Sequence, residues 1–212
     1  LGINFKSAHY KWFNQYRYLI GPAWNYYYLI QSIDKKIAQL ETDLELDFKK
    51  SLKILSQKEH FSFEVDFFCT RNYLRELDSD KWLKLIVPCS FVNELRGLFI
   101  QFPNSFFLVT TRDHESVDHI LRSHQIRIPD DNIFSRDQYS KSDSKAAIIT
   151  KVISEYQITK SIFVDDHEEH LAACAKIDRL KLMHARWGYV FPEVAEDNSK
   201  KVFEEIKNFI LD

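Results

Sequence analysis

Ser161-Ile162-Phe163-Val164-Asp165-Asp166-His167-Glu168-Glu169-His170-Leu171 is the stretch that decides the fold. An apolar run over residues 162–164 stops at two adjacent carboxylates, and a helical pattern through Leu171, Cys174 and Ile177 comes next. A short apolar run bounded in this way reads as a buried parallel strand. Its carboxyl end is where open α/β sheets place ligands. A single Asp before a helix is accounted for as an N-cap favoured by the helix dipole. Two adjacent carboxylates repel one another, so the pair points further, to a cation or a metal-linked phosphate.

Similar strands are expected on the amino side of this one. Phe61, Phe63 and Val65 alternate with Ser62 and Glu64, a strand signal that ends at Asp66. A helix is expected after Pro88 (Phe91, Leu95, Leu98, Phe99), then a strand over residues 106–109 ending in Thr110-Thr111-Arg112. A helix through Val117, Ile120 and Leu121 leads to a short strand at Ile133-Phe134. Asp143-Ser144-Lys145 then caps a helix carrying Ile148, Ile149, Val152 and Ile153, which runs into the opening stretch. A last strand over residues 181–185, Trp187-Gly188-Tyr189 and an amphipathic terminal helix complete the chain. Strands alternating with helices from residue 61 onward predict a parallel, Rossmann-like α/β sheet over 59–212.

Residues 1–58 read differently. No Gly or Pro occurs over 23–87, and Ile33, Ile37, Leu40, Leu44, Phe48, Leu52 and Leu55 recur at steps of three and four. This stripe predicts helices, with a break where Thr42 or Asp43 caps a second one. Tyr10, Trp12, Phe13, Tyr16, Tyr18, Trp24, Tyr26, Tyr27 and Tyr28 cluster around Gly21-Pro22. Few basic residues accompany them (Lys6, Lys11, Arg17), so they are read as packing rather than as a base-stacking track. The stripe could also pair two copies of the chain as a short coiled coil.

The net charge of −2 gives no sign of a nucleic-acid partner. No apolar run approaches the roughly 18 residues of a membrane span, and no signal-peptide pattern is seen. Position 1 is Leu rather than Met, which leaves room for residues before it. Cys69, Cys89 and Cys174 are widely spaced, as reduced thiols of a cytoplasmic protein would be, and a bacterial protein delivered elsewhere could look the same. His167 and His170 lack further ligands at zinc spacing and read as a solvated helix start, and no base accompanies Cys69 to make it a nucleophile.

Four polar clusters thus stand at strand ends or helix starts: Asp66 to Thr70, Thr110-Thr111, Lys145 and Asp165-Asp166. A carboxylate can attack phosphorus, a hydroxyl and a lysine can hold the transferring group, and paired acids can hold Mg²⁺. In this order, Asp66-Phe67-Phe68-Cys69-Thr70, Leu108-Val109-Thr110-Thr111-Arg112, Lys145 (or Lys141) and Phe163-Val164-Asp165-Asp166 resemble the four motifs of the haloacid dehalogenase-like (HAD) superfamily. Trp187-Gly188-Tyr189 is similar to a segment some members carry after the fourth motif. The resemblance covers about residues 60–192.

The resemblance implies a Mg²⁺-dependent phosphatase working through an aspartyl-phosphate at Asp66. Thr110 and Lys145 would hold phosphate, and Asp66, the Phe68 carbonyl, Asp165 and Asp166 would hold the metal. Phe68 stands where phosphatases of the family carry a second Asp as general acid, and it transfers no proton. A weakly active or inactive binding and regulatory module, or a dehalogenase-type hydrolase, therefore stands beside the phosphatase reading. The intervals from Thr70 to Thr110 and from Thr110 to Lys145 are filled by regular elements and leave no room for a large cap. A site without a cap suits a large phosphorylated substrate, macromolecular ones included.

Overall fold

A computed structural model describes residues 7–39, 41, 43–54, 57–86, 88–138 and 144–212. Leu40, Thr42, Leu55, Lys141 and Asp143, all named above, lie outside the described residues. The chain is mixed α/β and largely helical, with two short parallel two-stranded sheets among the described residues. It divides into two units, Leu1–Ser79 and Asp80–Asp212.

The first unit is helical: α1 (Ser7–Tyr16), α2 (Asn25–Ala38), α3 (Leu44–Ser51) and α4 (Gln57–Leu77). Its turn at Gly21 is closed by the Gly21 amide donating to Asn25 Oδ1 at 3.0 Å. The break in the apolar stripe falls between α2 and α3, where Asp43 Oδ1 accepts the Leu46 amide at 3.1 Å as an N-cap. Ile20, Tyr28, Leu29, Ile33, Leu44 and Phe48 form the core, walled by Trp12, Phe13, Trp24, Tyr26 and Tyr27. Each large apolar side chain so buried contributes about 2 kcal/mol. Ile33, Leu44 and Phe48 of the stripe are thereby spent inside the unit itself.

Residues 61–65, expected as a strand ending at Asp66, lie instead within the 21-residue helix α4. The alternation of Phe61, Phe63 and Val65 is real but is not what packs. His60, Phe63, Phe67, Phe68, Arg71 and Arg75 recur at helical steps and are the residues turned inward, while Phe61, Val65 and Tyr73 are exposed. The inward set meets Trp24, just before α2, and the aromatics of α2 itself. Trp24 stacks on His60 at 3.9 Å between centroids, and Tyr26 stacks on Phe67 at 5.0 Å. Tyr28 Oη lies 2.9 Å from His60 Nε2. A run free of Gly and Pro, with this much aromatic surface to meet, takes the helix.

The second unit holds α5 (Ser79–Lys84, whose first residue falls in the first unit), α6 (Ser90–Gln101), β1 (Leu108–Val109), α7 (His114–Ser123) and β2 (Ile133–Phe134). Then come α8 (Lys145–Glu155), β3 (Ser161–Asp165), α9 (Glu168–Cys174), β4 (Leu180–His184) and α10 (Ser199–Leu211). β1 pairs in parallel with β2, and β3 in parallel with β4, with Asp165 opposite His184. Buried Asp113 caps α7, its Oδ1 and Oδ2 accepting the Ser116 amide and hydroxyl at 2.8 Å each.

Two clusters make this unit's core. Phe91, Leu95 and Leu98 of α6 and Val202 and Ile206 of α10 pack with Phe106, Ile162, Val164 and Met183. Val117, Ile126, Ile128 and Ile133 pack with Val92, Leu108 and Leu121. Phe99 of α6 belongs to both.

Candidate functional site

The carboxyl end of β3 is where charge is concentrated and buried. Asp165 is 8% exposed and closes the strand. Its Oδ2 accepts Lys145 Nζ at 2.6 Å; its Oδ1 accepts the His167 amide at 2.8 Å and lies 3.1 Å from His170 Nδ1. Burial alone would raise the Asp165 pKa, but the His170 hydrogen bond, the charge and hydrogen bond of Lys145 and the His167 amide outweigh it. Together they hold the carboxyl well below the ordinary range.

Lys145 arrives at this point because Ser144 caps α8, its Oγ accepting the Ala147 amide at 3.2 Å. A lysine in the first helical turn faces the positive end of the helix dipole and is unfavourable there. The gain that offsets this is the buried Asp165, 20 positions away. Charge placed against the dipole and then gripped at a sheet edge is more expected of a site than of a scaffold.

Asp166 is held by a different part of the chain. Its Oδ2 accepts the Tyr189 amide at 2.8 Å, and its carbonyl oxygen lies 3.2 Å from His184 Nε2. The turn that delivers Tyr189 is closed by the Gly188 amide donating to the Ala185 carbonyl at 3.0 Å. It passes so close that a Cβ on Gly188 would fall inside the Asp166 side chain, 2.5 Å from Oδ2 and 2.8 Å from Cγ. Glycine is required here by proximity.

Thr110 comes directly after β1, its amide donating to the Phe134 carbonyl at 2.9 Å and its Oγ1 accepting the Arg112 amide at 3.2 Å. The hydroxyl thus closes the turn after the strand, as short polar side chains do. Burial, foremost, and the neighbouring His170 lower the pKa of His167.

Of the residues singled out from sequence, Lys145, Asp165 and Asp166 come together, and Thr110 ends another strand of the same unit. Asp66 does not stand at a strand tip: it is exposed in the middle of α4, in the first unit. Phe68 is buried at 8% exposure and meets Phe67 edge-on at 5.3 Å. Mid-helix, its carbonyl belongs to the helical ladder rather than to a metal. His170, read as solvated, instead orients Asp165; its position one turn into the short α9 was the available signal.

Among the described residues no group of three or more His, Cys, Asp or Glu side chains is arranged to hold a metal ion. Asp165 has both oxygens engaged, whereas among the described residues the Asp166 carboxylate accepts through Oδ2 alone. Mg²⁺ commonly takes one or two carboxylates and fills the rest of its octahedron with water and substrate phosphate, and Asp166 fits such a role. No family model, no curated protein and no solved structure matches the chain.

Proposed function

We propose that this protein is a Mg²⁺-dependent HAD-like hydrolase acting on a phosphorylated substrate, with the second unit as its Rossmann-like, phosphate-handling part. The observation that carries this reading is the Lys145–Asp165 contact of 2.6 Å, which fixes a helix-start ammonium at the carboxyl end of a parallel strand. A lysine so fixed offers its remaining N–H donors to a phosphoryl oxygen and offsets charge that grows in the transition state. Asp165 is then the positioning carboxylate. Asp166 is the residue that would hold Mg²⁺, whose role would be to neutralise the phosphate and orient it. Thr110 is the hydroxyl at the neighbouring strand end. The short interval from Thr110 to Lys145 leaves no room for a large cap there and favours a large, macromolecular substrate.

Thr110, Lys145, Asp165 and Asp166 all belong to the second unit, whereas Asp66, which the family resemblance would make the nucleophile, belongs to the first. The exposed place of Asp66 on α4 favours a second reading, a module that binds phosphorylated partners without turning them over. Hydrolysis of para-nitrophenyl phosphate, with and without Mg²⁺, separates them. Turnover that needs Mg²⁺ and is lost in Lys145→Ala, Asp166→Asn and Asp66→Asn supports the hydrolase. Turnover that survives all three removes the site. No turnover, with phosphate binding that Lys145→Ala abolishes, selects the binding module.

A further inference from the structure

We infer that the second unit carries a strand-shaped slot between β1 and β3, and that its occupant is an extended apolar peptide lying parallel to both. Topology alone leads to it, independently of the phosphate chemistry. α7 connects β1 to β2 and shares a cluster with Leu108, on one face of β1. The neighbouring Phe107 points to the other face, where its ring meets Tyr156 at the end of α8, 4.9 Å between centroids. α8 also packs against β1 and beside α9, and α9 packs against β3 and β4.

Right-handed crossovers on one face advance the sheet in one direction, and those on the opposite face advance it in the other. With α7 on one face and α8 and α9 on the other, β1 to β2 runs one way, and β2 to β3 to β4 runs back. This order puts β1 and β3 next to each other. Lys145 starts the helix that comes after β2 and touches the last residue of β3, so the strands also point the same way.

Yet among the described residues β1 pairs only with β2, and β3 only with β4. Two parallel edges with no ladder between them among the described residues call for a strand between them, because unpaired N–H and C=O groups under helix are costly. The side chains agree. Strands at the middle of a parallel sheet are buried on both faces, but Phe107, Val109, Ile162, Phe163 and Val164 all keep partial exposure.

One face of the opening carries Phe106, Ile162 and Val164 beneath α6 and α10, and the other is covered by α8, with its buried Ile148, Ile149 and Val152. The occupant is therefore apolar on both faces. It matches the five residues of β3 in length, about 16 Å. Added as a strand, it would take its affinity from main-chain hydrogen bonds on both sides.

The test uses the full chain and a synthetic peptide, a run of five Val and Ile residues flanked by Lys for solubility, with a control N-methylated at alternate amides. Hydrogen exchange of the amides over 107–109 and 161–165 should slow at least tenfold with the peptide and stay unchanged with the control. Equal slowing by both would reduce the slot to an apolar surface, and no slowing at peptide saturation would remove it. Slowing without peptide that grows with protein concentration would assign the edges to a second copy. Each of these three results overturns the proposal, and none of them bears on phosphate turnover.

Discussion

Asp66 and Asp165 each end a run of aromatic and branched residues, and the chain places them in opposite surroundings. The run before Asp66 belongs to a 21-residue helix whose inward face is set by Phe63, Phe67 and Phe68, so its carboxylate is left to solvent. The run before Asp165 is a five-residue strand in register with β4, and its carboxylate is buried with a lysine, a histidine and a backbone amide around it. The two differ less in their apolar runs than in the backbone just beyond each carboxylate. A strand that stops and turns into a new helix aims its last side chain at helix starts and turns, where donors collect. A helix that continues offers its middle residues none.

The comparison breaks most sharply at Phe68. If residues 61–65 formed a strand with a catalytic loop after it, Phe68→Asp would restore a general acid. Packed as it is against Phe67 inside an aromatic helical unit, the substitution should instead bury a carboxylate in place of a ring and cost about 4 kcal/mol or more. Urea unfolding of wild type and variant reads this directly; a stable variant with raised phosphatase turnover would overturn the helical account of Asp66.

Next in size is Lys145→Ala. It leaves Asp165 buried without its cation, at a cost of about 3 kcal/mol in unfolding free energy. The pH dependence sharpens it. Because the Asp165 carboxyl is held low in the folded protein, its contribution is complete above the unfolded carboxyl pKa of about 3.9 and is lost as pH falls toward the folded value. The wild-type advantage over Lys145→Ala should therefore be constant near neutrality and shrink in acid. An advantage that grew in acid would show the pair to be misassigned.

Gly188→Ala ranks third, at about 2 kcal/mol, because the new methyl meets Cγ of Asp166 as well as its carboxylate and a simple rotation does not relieve it. A lowered melting temperature, together with a changed exchange rate at the Tyr189 amide, would verify the latch; an unchanged protein would show that the turn has room to shift.

The second unit was legible because its signals were local. Ser144 before Lys145, the run into Asp165-Asp166 and the short runs at residues 106–109 and 133–134 each carry their own boundaries, and helices and strands form where they point. The coming together of Lys145 and Asp165 was also legible, since a helix after one parallel strand starts at the edge where the next strand ends. The hold of Tyr189 and Gly188 on Asp166 was not, because it depends on how closely one turn passes a strand tip, which no spacing encodes. α4 was misread for a physical reason: Phe61, Phe63, Val65 and Phe67 satisfy a period of two while Phe63, Phe67 and Phe68 satisfy a helix. Only the aromatic face of α2 decides between them, and its position relative to α4 is a tertiary fact.

The smallest expected effect tests the comparison from its other side. Asp66→Asn replaces an exposed mid-helix carboxylate by its near-isostere, so unfolding free energy should change by less than about 0.5 kcal/mol. The same change at Asp165 removes the counter-charge of Lys145 and should be felt at once, which makes the two Asn variants a matched pair. Because Asp66→Asn leaves the fold alone, any loss of turnover it causes is chemical rather than structural. Turnover abolished in a fully stable Asp66→Asn protein would assign that helix-borne carboxylate to the reaction. Turnover unchanged would confine the chemistry to the strand ends of the second unit.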